Sequence, residues 1–109
     1  MYKAIHFVQA FTRSQTRKGA ARPMKIMIVD DHPEMRRLLR SALSHLADIR
    51  ECGDGGEAIA AFAQERPDWT VMDVGMKGID GLEATRRIKA SFPDARILVL
   101  TQHDSPGVR

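Results

Sequence analysis

Uninterrupted apolar runs alternate along this chain with segments of helical period, and that alternation restricts the fold more than any other feature. The clearest runs are KIMIV at 25–29 and ILVL at 97–100. Runs of this kind are typical of parallel strands buried on both faces of a sheet. Such strands are joined by right-handed crossovers through helices. The sequence therefore predicts an α/β fold of order β-α-β-α-β-α-β from residue 24 onward, with helices on both faces of a parallel sheet.

Three helices are expected between four strands. The first begins at Pro33, because the first helical position favours proline. Its predicted apolar stripe consists of Met35, Leu38, Leu39, Ala42, Leu43 and Leu46. The second follows the turn GDGGE and ends at Pro67; its predicted apolar residues are Ala58, Ile59, Phe62 and Ala63. The third opens with Asp80 and Glu83 at capping-box spacing, with Asp in place of the usual Ser or Thr. The remaining strands are predicted at DIREC, DWTVMDV and ARILVLT.

Charge is unevenly distributed, so the net charge of +3 says little about the folded part. Residues 1–23 carry five basic side chains and no acidic one, whereas acids outnumber bases from Met24 onward. This segment is polar, basic and punctuated by Gly and Pro, which predicts a disordered extension. Its composition also fits an organelle transit peptide, and a natural start at Met24 is a third interpretation. Short basic runs are usually just solvated, so nucleic-acid binding is not expected.

Cysteine content and hydropathy restrict the setting of the protein. No apolar run approaches the ~20 residues that a membrane helix needs, so membrane association is not expected. The single cysteine, Cys52, excludes an internal disulfide and fits a reducing compartment, which favours a cytoplasmic location. Because buried free cysteines are common, we interpret Cys52 as a small core residue rather than a nucleophile.

Polar side chains follow three of the four predicted strands. Asp30 and Asp31 come after the first strand, Asp73 ends the third and Thr101 follows the fourth. Sites in parallel sheets form at the carboxyl ends of the strands, so these side chains are predicted to converge. Three neighbouring carboxylates repel each other, and a hard cation such as Mg²⁺ relieves that repulsion. An acidic cluster with Mg²⁺ suits phosphoryl transfer, in which a carboxylate can itself be the nucleophile.

Each of these residues has a simpler interpretation when taken alone. Asp30 and Asp31 could stabilise the positive end of the first helix, and Asp73 could be a turn residue. The joint pattern, with acids after two strands and a hydroxyl after another, favours a site. Because carboxylates suit Mg²⁺ better than imidazole does, we interpret His32 as surface at the helix entry.

Three segments of the sequence resemble one family. KIMIVDDHPEMRRLLRSAL, DWTVMDVGMKGIDGLEATRRIK and ARILVLTQHDSPGVR are similar to the receiver domain of two-component response regulators, closest to the subgroup with a LuxR-type output domain. The resemblance covers 24–109, which would make 1–23 an extension and the remainder the receiver. It implies a flavodoxin-like, doubly wound parallel sheet of strand order 2-1-3-4-5.

The resemblance also implies a role for each residue of the predicted site. Asp73 would accept a phosphoryl group from a sensor histidine kinase, with Thr101 as the switch hydroxyl. Asp30, Asp31 and Asp73, with the backbone carbonyl of Gly75, would hold Mg²⁺. The domain would then be a phosphoacceptor in signal transduction and transcription regulation rather than an enzyme.

Two departures from the family pattern accompany the resemblance. Lys77 stands where the family usually has proline after Met76, which releases a fixed φ and adds a cation near the site. The sequence stops after the fourth strand, so the predicted receiver is truncated and lacks the family's fifth-strand lysine and aromatic residue. The apolar fourth strand would then be an unprotected edge, which predicts self-association.

Three functional hypotheses remain open from the sequence. The first is a phosphoacceptor receiver, impaired to an unknown degree by truncation. The second is a degenerate receiver that acts as a protein-interaction module without accepting phosphate. The third, a Mg²⁺-dependent phosphatase, is disfavoured because such enzymes generally carry a second acid two residues after the nucleophile, where this chain has Gly75.

Overall fold

The computed structural model describes residues 23–100, which form one parallel sheet with three helices. The elements are β1 (Met24–Val29), α1 (Pro33–Leu43), β2 (Ala47–Cys52), α2 (Gly55–Glu65), β3 (Trp69–Asp73), α3 (Gly81–Ser91) and β4 (Ile97–Leu100). The strands lie in the order β2-β1-β3-β4, and every pair is parallel. The predicted alternation of strands and helices is therefore confirmed. The predicted disordered extension falls almost wholly outside the described residues.

The two faces of the sheet carry separate hydrophobic cores because alternate residues of β1 point to opposite sides. The core under α1 contains the buried residues Met24, Ile26, Ile28, Leu39, Leu43 and Val71. The core under α2 and α3 contains, among others, Met27, Val29, Phe62, Met72 and Ile88. A strand that contributes to both cores must be apolar throughout, which explains the uninterrupted run in the sequence.

Helix boundaries follow the predicted signals closely. Pro33 occupies the start of α1, and the Asp80 side chain accepts a hydrogen bond of 2.9 Å from the Glu83 N–H at the start of α3. Asp54 caps α2 in the same way through the Glu57 N–H at 2.7 Å, a cap that the sequence analysis missed. Each helix has 11 residues, and no helix in the described part of the chain is long and apolar enough to cross a membrane.

Two residues assigned to apolar helix faces prove to be exposed. Leu38 is 38% exposed, because the seam of α1 against the sheet runs through its neighbours Leu39 and Leu43. In α2 the second buried alanine, after Ala58, is Ala61, whereas Ala63 faces solvent. Ala61 lies three residues after Ala58, on the same face of the helix.

Cys52 behaves as the sequence predicted. It is 1% exposed and belongs to the core under α2 and α3. Burial raises the pKa of its thiol to about 11, and the Glu57 carboxylate adds to that effect. A thiol with so high a pKa is a poor nucleophile at neutral pH, so the interpretation as a core residue is supported.

Candidate functional site

Strand register brings the predicted carboxylates to one edge of the sheet. Val29 pairs with Met72, so Asp30 and Asp73 are the next residues on adjacent strands. Both are 1% exposed, whereas the side chain of Asp31 is 25% exposed. Ligand atoms of Asp30, Asp31, His32 and Asp73 all lie within 4.8 Å of one another. The predicted convergence of Asp30, Asp31 and Asp73 is therefore present in the structure.

Asp73 has one carboxylate oxygen with a partner and one without. Its Oδ1 accepts a hydrogen bond of 3.2 Å from the Gly75 N–H. Its Oδ2 is buried and has no hydrogen-bond partner among the described residues. Burial raises the pKa of Asp73, and Asp30 and Asp31 raise it further. A buried oxygen without a partner generally marks a place for an ion or another ligand.

The donor set fits Mg²⁺, which prefers carboxylate and carbonyl oxygens. Asp31 Oδ1 is a second buried oxygen that accepts no hydrogen bond from the described residues, although His32 Nδ1 lies 3.0 Å from it. Buried carboxylate oxygens in one cluster of like charges are stabilised by a cation better than by more donors. Gly75 lies beside the cluster, with its N–H already on Asp73, so its backbone is close to the site.

His32 is part of the cluster, and its interpretation as helix-entry surface is incomplete. The side chain is 56% exposed, yet its Nδ1 lies 2.9 Å from Asp30 Oδ1 and 3.0 Å from Asp31 Oδ1. The His32 N–H also donates to Asp30 Oδ1 at 2.8 Å. The hydrogen bond to Asp30 is the main cause of a raised His32 pKa, with Asp31 next. The DDH order was the available sequence signal, because a residue directly after two acids can turn back onto them.

Arg36 supports the loop that carries the acidic pair. Its Nη1 donates to the backbone carbonyl of Asp30 at 2.6 Å, and its Nε donates to Glu51 Oε1 at 3.0 Å. Arg40 pairs with the other oxygen of Glu51. The first two turns of α1 are thereby joined to the end of β2, next to the loop of the site.

The loop after β3 closes the other side of the cluster. The Lys77 N–H donates to Asp31 Oδ2 over 3.4 Å, a contact that proline at this position could not make. Met76 is 6% exposed and anchors the loop in the core. Gly81 begins α3 against the end of β3, where an added Cβ would lie 2.0 Å from the Asp73 carbonyl oxygen. Sequence reasoning missed Gly81 because the contact depends on the path of the loop.

Thr101 lies outside the described residues. Asp73 pairs with Leu100, which directly precedes Thr101 in the sequence. The role assigned to Thr101 therefore stays a prediction.

Comparison with known proteins agrees with the observed fold. The family described as "Response regulator receiver domain" matches residues 26–109. The transcriptional activator protein ExaE of Pseudomonas putida is 38% identical over 89 residues, covering 78% of this chain and 41% of ExaE. The chain thus spans about two fifths of the length of the curated relatives it matches.

Solved structures give the same result. A LuxR-family two-component response regulator from Aurantimonas sp. SI85-9A1 superposes with a TM-score of 0.70 at 37% identity, covering 80% of this chain and 64% of that one. Response regulator TrrA from Thermotoga maritima, in complex with Mg²⁺-BeF, superposes with a TM-score of 0.71 at 34% identity, covering 74% and 71%. The fold is flavodoxin-like, as expected. These matches, together with the acidic cluster at the strand ends, show that the chain belongs to the receiver domain family of two-component response regulators.

Proposed function

We propose that this receiver domain accepts a phosphoryl group on Asp73 from the phosphohistidine of a sensor histidine kinase. The observation that carries the proposal is the buried Asp73 Oδ2, which has no hydrogen-bond partner within residues 23–100 and belongs to the cluster with Asp30 and Asp31. A carboxylate oxygen that is held in place but accepts no hydrogen bond is available as a nucleophile. Receiver domains as a family are phosphorylated by such kinases.

Asp30, Asp31, Asp73 and the Gly75 carbonyl would hold Mg²⁺. The bound ion would neutralise charge on the phosphoryl oxygens and hold the group in line with the nucleophile. TrrA, 34% identical to this chain, was solved in complex with Mg²⁺-BeF, which supports this assignment.

In the transfer, the N–P bond of the phosphohistidine breaks and an O–P bond forms at Asp73. The departing imidazole keeps the electron pair of the broken bond and takes up a proton. The chain ends the reaction covalently modified, so it is a phosphoacceptor and not a turnover enzyme. We propose the Thr101 hydroxyl as the group that contacts the phosphoryl group. The cytoplasmic location of the protein stays a prediction.

The proposal is tested by incubating the purified full chain with Mg²⁺ and acetyl phosphate and measuring its intact mass. We expect a gain of one phosphoryl group that is stable in acid and labile in base. Asp73→Asn should abolish the gain. Asp94→Asn, which removes an exposed acid before β4, should retain it as the matched control.

Failure of labelling would favour the alternative, a degenerate receiver acting as an interaction module. Absence of the mass gain with both acetyl phosphate and a phosphorylated kinase domain would overturn phosphate acceptance. Equal affinity of the kinase for wild type and Asp73→Asn would then support the module hypothesis.

We also propose that β4 mediates self-association. It lies at the edge of the described sheet and all four of its residues are only half-buried. Its sequence, ILVL, has no charge or proline to discourage pairing with another strand. Sedimentation velocity should show association of wild type that Val99→Lys reduces and the equally charged control Ser91→Lys does not. A wild type that is monomeric at all concentrations would contradict this.

A further inference from the structure

His32 makes contacts that a residue at a helix entry does not need. Its Nδ1 lies 2.9 Å from Asp30 Oδ1 and 3.0 Å from Asp31 Oδ1. Its N–H holds the same Asp30 oxygen at 2.8 Å. The imidazole is thereby aimed at both carboxylates although its ring is largely open to solvent.

These separations match those of neighbouring ligands on one metal ion. Bonds of 2.0–2.1 Å at right angles place adjacent octahedral ligands about 3 Å apart. His32 Nδ1 already lies at this spacing from both Asp30 Oδ1 and Asp31 Oδ1. Asp73, whose buried Oδ2 has no hydrogen-bond partner in the described part of the chain, offers a fourth ligand atom within 4.8 Å of the others.

The nitrogen donor changes which ions the cluster should prefer. Carboxylates and carbonyls alone suit Mg²⁺, whereas imidazole favours Zn²⁺, Ni²⁺ and the neighbouring first-row ions. Mg²⁺ also keeps its waters more readily than it accepts a nitrogen ligand. The His32 imidazole needs little rearrangement to become a metal ligand, because the backbone hydrogen bond fixes the residue beside Asp30.

We propose that His32 is a metal ligand in this receiver and that it gives the site a preference for first-row transition ions over Mg²⁺. The inference rests on the proposed function in that it uses the same three aspartates. It goes further by naming a fourth ligand and a class of ion. A metal-bound imidazole coordinates through a nitrogen without a proton, so any proton on Nδ1 leaves to the buffer when the ion binds.

The test measures dissociation constants for Co²⁺ and Mg²⁺ by calorimetry on the untagged full chain and on two variants. His32→Gln retains a hydrogen-bonding group but removes the imidazole nitrogen. His45→Gln removes an exposed histidine just after α1 and is the matched control. The visible absorption of bound Co²⁺, which is sensitive to nitrogen ligands, is recorded in the same samples.

We expect wild type and His45→Gln to bind Co²⁺ more tightly than Mg²⁺. The Co²⁺ affinity of His32→Gln should fall by at least about 10- to 100-fold. Removing a residue that only supports a metal ligand already costs this much. The Mg²⁺ affinity of this variant should change little, and its Co²⁺ spectrum should shift.

Two results would overturn the inference. One is a Co²⁺ to Mg²⁺ affinity ratio that is the same in His32→Gln and wild type; phosphate acceptance on Asp73 would then stand unaffected. The other is a wild type that binds Mg²⁺ but not Co²⁺. A wild type that binds Co²⁺ through His32 but not Mg²⁺ would support the inference and contradict the Mg²⁺-dependent transfer.

Discussion

Gly81 connects the third helix to the backbone of the proposed acceptor. An added Cβ would lie 2.0 Å from the carbonyl oxygen and 2.7 Å from the carbonyl carbon of Asp73. Backbone atoms cannot turn aside as a flexible side chain can, so a larger residue must move either α3 or the end of β3. The position of the acceptor thus depends on a residue with no functional group.

Gly81→Ala should therefore destabilise the protein, although alanine is the better helix former. We expect the free energy of unfolding to fall by about 1–3 kcal/mol, the usual cost of overpacking. Urea unfolding measures the change. Gly56→Ala, in the first turn of α2, is the control, because its Cβ would meet only Asp54 Oδ1 at 3.4 Å. Equal stability of the two variants would show that the α3 contact relaxes freely.

The acidic residues of the site were predictable from the sequence, whereas their neighbours were not. Asp30 and Asp73 each follow an apolar strand, and parallel strands end at a common edge, so position along the chain located them. His32 and Gly81 were missed for different reasons. The role of His32 depends on a side-chain rotation, and that of Gly81 depends on how closely two backbones approach.

At the scale of elements, ion pairs join α1 to β2. Glu51 on β2 accepts hydrogen bonds from Arg36 and Arg40, which lie one turn apart on α1. The hydrogen bond from Arg40 and then that from Arg36 hold the pKa of Glu51 below its ordinary value of 4.5. Arg36 also reaches the Asp30 carbonyl, so the same pairs support the loop of the site.

Glu51→Gln should cost stability in a manner that depends on pH. Because the folded state depresses this pKa, the carboxylate stabilises the fold above pH 4.5 and loses that effect as pH falls through the folded-state value. At pH 7 and low salt we expect a loss of about 1 kcal/mol, since partly exposed pairs contribute modestly.

Urea unfolding at several pH values checks this expectation. The difference between wild type and Glu51→Gln should shrink as the pH is lowered below 4.5. Glu34→Gln, a change at an exposed residue of α1, should show a smaller difference at pH 7. A Glu51→Gln effect that does not vary with pH would mean that packing, not charge, joins the two elements.

Element boundaries were predicted within a few residues, but single faces were less certain. Pro33 and Asp80 are strong local signals, so α1 and α3 begin where the sequence placed them. Leu38 and Ala63 were assigned to buried faces because each is apolar and close to the stripe. Which apolar residue touches the sheet depends on how the helix rotates against it, and the sequence does not encode that directly.

At the scale of the whole molecule, repulsion within the acidic cluster should oppose folding, and the proposed cation would relieve that repulsion. Asp30 and Asp73 are buried like charges, and Asp31 stands beside them. Anything that binds the folded state alone raises its stability, by about 2.7 kcal/mol when present at 100 times its dissociation constant. Stability should therefore depend strongly on divalent ions.

Asp73→Asn should reverse its rank against wild type when Mg²⁺ is added. With a chelator present, the variant should melt at the higher temperature, because it removes one of three like charges. With saturating Mg²⁺, wild type should become the more stable, because the variant has lost a ligand. Thermal unfolding followed by circular dichroism, with sodium chloride matching ionic strength, measures both. Identical shifts for the two proteins would argue against a metal site at Asp73.

The overall architecture was predictable from the sequence because two independent patterns, the apolar strand runs and the helical stripes between them, indicated the same fold. A strand that supplies both cores must be apolar at every buried position, and the run IMIV at 26–29 satisfies this. Helical stripes separated the strands, which left a parallel sheet as the arrangement able to bury both kinds of segment. The predictions for residues 1–22 and for Thr101 could not be tested in the same way, because these residues lie outside the described part of the chain.

The buried thiol of Cys52 has a practical consequence for chemical labelling. It is the only cysteine in the sequence, and a pKa of about 11 leaves roughly one thiol in ten thousand ionised at pH 7. A maleimide dye should therefore react far faster with a cysteine newly placed at exposed Ser91 than with Cys52. The native background needs no cysteine removed, so a fluorophore can be attached beside α3 while the core remains intact.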